Sequence, residues 1–102
     1  MEITLQYFDG CPNWKTTAAD LAELVARHHI DTSVEHQLID TPDAAEKHGF
    51  RGSPTVLVNG VDPFADADAP VGLSCRVYVT PEGLAGSPTR DQLLEALQAT
   101  EA

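Results

Sequence analysis

Pro54 stands directly ahead of Thr55-Val56-Leu57-Val58, an unbroken run of β-branched and aliphatic residues. A strand of that kind is expected to be buried on both faces, so the chain must cover a sheet from two sides. Asn59-Gly60 then supplies a turn. The preceding residues provide the cover. In residues 2–8, Ile3, Leu5 and Tyr7 alternate with Thr4 and Gln6, the period of a strand. Asp9-Gly10 breaks it, and Pro12 sits where a helix takes its first residue. Trp14, Ala18, Leu21, Val25 and His28 recur at steps of three and four, which predicts an amphipathic helix from about Pro12 to His29.

Val34 to Ile39 reads as a second strand, with Val34, His36 and Leu38 on one face. Thr41 as cap and Pro42 as first residue open a short helix that Gly49 closes. Residues 61–74 have no period and contain Pro63 and Pro70, so they are expected to form a loop or a ragged edge. Cys75 to Val79 reads as a short strand and 81–86 as a loop. Ser87-Pro88 caps a last helix carrying Leu93, Leu94 and Leu97. Gly-Ser-Pro-Thr occurs at 52–55 and 86–89, leading once into a strand and once into a helix, a coincidence and not a repeat. The order β-α-β-(α)-β-β-α predicts one α/β domain over 1–102, a mixed four-stranded sheet flanked by helices.

Six basic residues against sixteen acidic ones give a net charge of −10. Such an acidic surface repels phosphate backbones and anionic lipid, so nucleic-acid and membrane partners are not expected. The apolar runs are far too short to cross a bilayer. Met1-Glu2-Ile3-Thr4-Leu5 shows no basic stretch followed by an apolar one, which makes the cytoplasm the expected location. Two cysteines, Cys11 and Cys75, are too few for a disulfide framework or a four-thiolate metal site. Each is therefore a small buried hydrophobe or a reactive thiol.

Two segments resemble the thioredoxin-like superfamily. Cys11-Pro12-Asn13-Trp14-Lys15 is similar to the family's Cys-x-x-Cys-Lys at the start of the first long helix. Gly49-Phe50-Arg51-Gly52-Ser53-Pro54-Thr55, followed by Asn59-Gly60, is similar to the segment carrying the family's cis-proline. The resemblance covers residues 1–60 well and 76–102 loosely. It implies a cis bond between Ser53 and Pro54 beside the reactive sulfur, with backbone groups there presented to an extended peptide or thiol substrate. Pro12, Trp14, Ser53, Pro54 and Thr55 are the implied substrate-binding residues. The chain departs from the pattern twice: Trp14 replaces the second cysteine, and Gly10 stands where the family has tryptophan.

Cys11 just before Pro12 places a sulfur at a helix N-terminus, where free N–H groups favour the thiolate. Lys15 adds positive charge one turn on, Asp9 opposes it, and the alternative is an inert buried cysteine. Trp14 is either a wall contacting substrate or plain packing. Cys75 is a resolving thiol if segment 61–74 carries it round to Cys11, and a buried structural residue if not; bridging needs Cα atoms within about 7 Å. His28, His29, His36 and His48 do not space as a metal site, and Asp62, Asp66 and Asp68 lack the spacing of a calcium loop. No metal or cofactor is expected.

Three functions follow. The first is a thiol-disulfide or peroxide-linked oxidoreductase, with Cys11 as nucleophile, Cys75 or an external thiol resolving, and a low-molecular-weight thiol or a protein as reductant. The second is capture of a soft metal or organomercurial by the two thiolates. The third is an interaction module that keeps the fold without the chemistry.

Overall fold

The computed structural model describes residues 1–66 and 68–101. β1 (Ile3–Tyr7) is the middle strand of a mixed three-stranded sheet. β2 (Val34–Leu38) lies parallel to it, Ile3 opposite Val34 and Tyr7 opposite Leu38. β3 (Thr55–Val58) lies antiparallel on the other side, Ile3 opposite Val58 and Gln6 opposite Thr55. The parallel pair requires a crossover, and α1 (Trp14–Arg27) makes it. α2 (Pro42–His48) connects β2 to β3, and α3 (Arg90–Glu101) closes the chain.

The pleat sends Ile3 and Leu5 of β1, with Val56 and Val58 of β3, into the main core. There they meet Leu21 and Leu24 of α1 and Leu93 and Leu97 of α3. A second, smaller cluster joins Ile39, Ala45 of α2 and Phe50, with Phe8 and Leu73 packed against it. Thr55 and Leu57 alternate to the face opposite Val56, and Leu57 is only half-buried. Burial of the Thr55–Val58 run on both faces is therefore incomplete: a groove lined by Gln6, His48, Gly49, Thr55 and Leu57 reaches that side.

Several ends follow their local chemistry. Thr41 Oγ1 accepts from the Ala44 N–H at 3.0 Å, and Gly49 ends α2 in the left-handed conformation, as expected. α1 begins at Trp14, two residues later than expected, because Pro12 and Asn13 form a turn with Lys15 N donating to Pro12 O at 3.1 Å. α3 is capped at Thr89, not at Ser87-Pro88. Its Oγ1 accepts from Gln92 N at 3.1 Å while Gln92 Oε1 accepts from Thr89 N at 2.9 Å, a reciprocal capping box.

The expected fourth strand does not join the sheet. Tyr78–Thr80 (β4) instead pairs antiparallel with Gly83–Ala85 (β5), inside the stretch expected to be loop. Gly83, at φ +112°, allows the tight reversal at Pro81-Glu82. Gln92 Nε2 donates to Val79 O at 2.9 Å and ties this hairpin to α3. No helix among the described residues is long and apolar enough to cross a membrane.

Candidate functional site

The segment 61–77 has no sequence period, yet its course is set by a few polar anchors. Arg76 is buried. Its guanidinium donates to Asp62 Oδ2 at 2.7 Å, to Thr55 Oγ1 at 3.2 Å and to the Phe64 carbonyl. The same guanidinium lies 4.7 Å from the centre of the Tyr78 ring. Tyr78 Oη donates to Pro54 O at 2.5 Å, and burial holds its phenol well above the ordinary range, so it remains a donor. Arg51 Nη1 donates to the Ala69 carbonyl, and Gly72 N to Phe50 O at 3.0 Å. Buried polar groups demand partners, and these interactions fold the segment back over the start of β3.

That return places residues 74–76 alongside Ser53, in parallel. Ser53 N donates to Ser74 O at 2.8 Å, and Arg76 N donates to Ser53 O at 2.9 Å. Gly52, at φ +118°, faces this crossing; a Cβ there would sit 3.0 Å from Arg76 Cβ and 3.1 Å from its backbone. Only glycine fits without displacing the strand. The Ser53-Pro54 bond is cis.

Cys75 thus reaches Cys11. The two form a disulfide across 64 residues, with Cα atoms 5.6 Å apart. The open question about segment 61–74 is answered by this geometry: it carries Cys75 to the first thiol. Cys11 is fully buried, and its Sγ lies 3.7 Å from the Ser53 carbonyl oxygen. Cys75 is exposed.

Cys11 lies ahead of the first turn of α1. The Asn13 side chain makes no cap hydrogen bond, and the first turn carries no acidic residue. Lys15, Asp9 and Pro12 are exposed, and Pro54 and Thr55 are buried. Trp14 is half-buried, its ring 4.4 Å from that of Tyr7 and 6.2 Å from that of His36. Ser53 Oγ is buried with no hydrogen-bond partner among the described residues. No group of three or more His, Cys, Asp or Glu side chains among the described residues could hold a metal ion.

Sequence reasoning gives no role to Arg76 or Tyr78, and places Asp62 only in an aperiodic loop or ragged edge. One signal was available: Arg76 follows Cys75 directly in a chain with only six basic residues.

No protein-family model matches this chain, and no curated protein matches its sequence.

Proposed function

We propose that this chain is a small thioredoxin-like thiol-disulfide oxidoreductase of the cytoplasm that works by making and breaking the Cys11–Cys75 bond. The observation that carries the reading is the convergence of two distant cysteines beside the Ser53-Pro54 backbone. The pair does across the fold what a Cys-x-x-Cys motif does within four residues, so Trp14 in place of a second motif cysteine does not remove dithiol chemistry. In the reducing direction, a thiolate of the protein attacks a substrate disulfide and the second cysteine displaces the product thiol, leaving the protein oxidised. Two equivalents of a low-molecular-weight thiol, or one protein dithiol, return it to the dithiol form. With a peroxide as oxidant, one thiolate becomes a sulfenic acid and the other condenses with it, releasing water. A disulfide in a reducing compartment is transient and chemical in role, which agrees with this cycle.

The test is glutathione-driven reduction of bis(2-hydroxyethyl) disulfide. The native chain is expected to turn over, and the Cys11→Ser/Cys75→Ser double variant to lose on the order of a hundredfold or more of that rate. Unchanged turnover in the double variant would contradict the reading and favour a non-catalytic interaction module. The convergence of sulfurs also supports a second reading, two-thiolate capture of a soft cation. One mercuric ion bound per reduced chain, lost in Cys75→Ala, would favour it if disulfide turnover is absent.

A further inference from the structure

The proposed cycle leaves open which sulfur meets the external thiol, and the helix-start position of Cys11 suggests that one. The geometry points to the opposite assignment: we infer that Cys75 exchanges with the external thiol and Cys11 is the internal, leaving and resolving sulfur. This inference rests on the reading of a reversible disulfide.

Three observations converge. Exchange needs a line of approach to the sulfur that is attacked, and Cys11 is fully buried whereas Cys75 is exposed. A groove of about 500 Å3 gives that approach; Ser74, Cys75 and Arg76 line it with Arg51, Phe64 and Tyr78, and Cys11 does not. The Cys11 sulfur lies 3.7 Å from the Ser53 carbonyl oxygen, so backbone occupies that side of it. Cys75, meanwhile, is held by its neighbours: Ser74 O and Arg76 N both pair with Ser53, so the backbone of 74–76 is fixed where Cys75 lines the groove.

The step balances as follows. An external thiolate attacks Cys75 Sγ; a new S–S bond forms to Cys75 as the Cys75–Cys11 bond breaks, and Cys11 departs as a thiolate that takes a proton from solvent. A second external thiolate then attacks the external sulfur of the mixed disulfide, releasing the small-molecule disulfide and the Cys75 thiolate. Two thiols are oxidised and one protein disulfide is reduced.

The experiment treats the oxidised full-length chain with reduced glutathione, quenches with acid, blocks free thiols with N-ethylmaleimide and maps the peptides. The expected adduct is glutathione on Cys75 with maleimide on Cys11; glutathione on Cys11 would overturn the assignment. Single-cysteine variants supply a second arm. With glutathione disulfide, the Cys11→Ser chain is expected to form its mixed disulfide at least about tenfold faster than the Cys75→Ser chain. Equal rates, or the reverse order, overturn the assignment while leaving a reversible pair intact. Inertness of both variants and of the oxidised native chain would overturn the underlying reading as well, so the two failures are distinguishable.

Discussion

Reduction of the Cys11–Cys75 bond is expected to lower the unfolding free energy by about 4 kcal/mol, the loop-closure entropy that a bridge across a segment of this length removes from the unfolded chain. The sequence separation of 64 puts more than half of the chain inside the closed loop. For a domain of 102 residues the corresponding fall in Tm is about 15–30 °C. The chain should nevertheless stay folded when reduced. The main core of Ile3, Leu5, Leu21, Leu24, Val56, Val58, Leu93 and Leu97 contains neither cysteine, and the Arg76 interactions hold segment 61–77 without the covalent bond. Denaturant unfolding of the oxidised chain, the reduced chain and Cys11→Ser/Cys75→Ser measures the difference. A loss below about 1 kcal/mol, from a sample verified to be oxidised at the start, would contradict the expectation.

The second large effect is at Arg76. Arg76→Met preserves length and apolar volume but removes the guanidinium from Asp62, Thr55 and Phe64. The side chains of Arg76 and Asp62 are only 6% and 19% exposed, so the remaining carboxylate is left largely out of water without its cation. Breaking such a pair from one side is expected to destabilise the chain by about 3 kcal/mol. Adding Asp62→Asn should recover part of this, because the uncompensated charge is gone while the Oδ1 that accepts from Phe64 N at 2.8 Å is kept. Arg90→Ala is the control. Its guanidinium pairs with Asp20 at 3.2 Å and with Glu23, but it is about half exposed, and its loss should stay below about 1 kcal/mol. Equal losses at Arg76 and Arg90 would contradict the anchoring role of Arg76.

Asp62 and Arg76 mark where the amino-acid sequence stops being legible. The strand at Ile3, Leu5 and Tyr7, the Thr41-Pro42 start and Gly49 end of α2, and the leucines of α3 rest on local signals, and each element appears in the structure, although in β1 Gln6 is buried and Tyr7 only half-buried. The mixed α/β architecture follows from them. Segment 61–77 is different, because its path depends on pairings between residues far apart in the chain. Asp62 with Arg76, Tyr78 with Pro54 and Gly72 with Phe50 leave no periodic trace. The same long-range contacts explain why the strand expected from Cys75 to Val79 failed to join the sheet. Residues 74–76 spend their hydrogen bonds on Ser53, and only from Tyr78 onward does the chain pair regularly, with β5. Capping chemistry was misplaced by two residues at α3 because Ser87-Pro88 and Thr89 offer overlapping signals; the Gln92 side chain selects Thr89. The pairing of Cys11 with Cys75 belongs to the same class of information, since bridge geometry depends on a loop that no local rule describes.

The most direct measurement is the redox equilibrium of the two sulfurs. The full-length chain would be equilibrated in glutathione buffers of graded potential, acid-quenched, alkylated and weighed by mass spectrometry. The account predicts a single two-electron transition between the dithiol and an intramolecular Cys11–Cys75 disulfide, with a midpoint above about −300 mV, where cellular thiols can reduce it. A pair that stays oxidised well below that potential would be a structural bridge, and two cysteines that never join would leave no redox site at all; either result contradicts it.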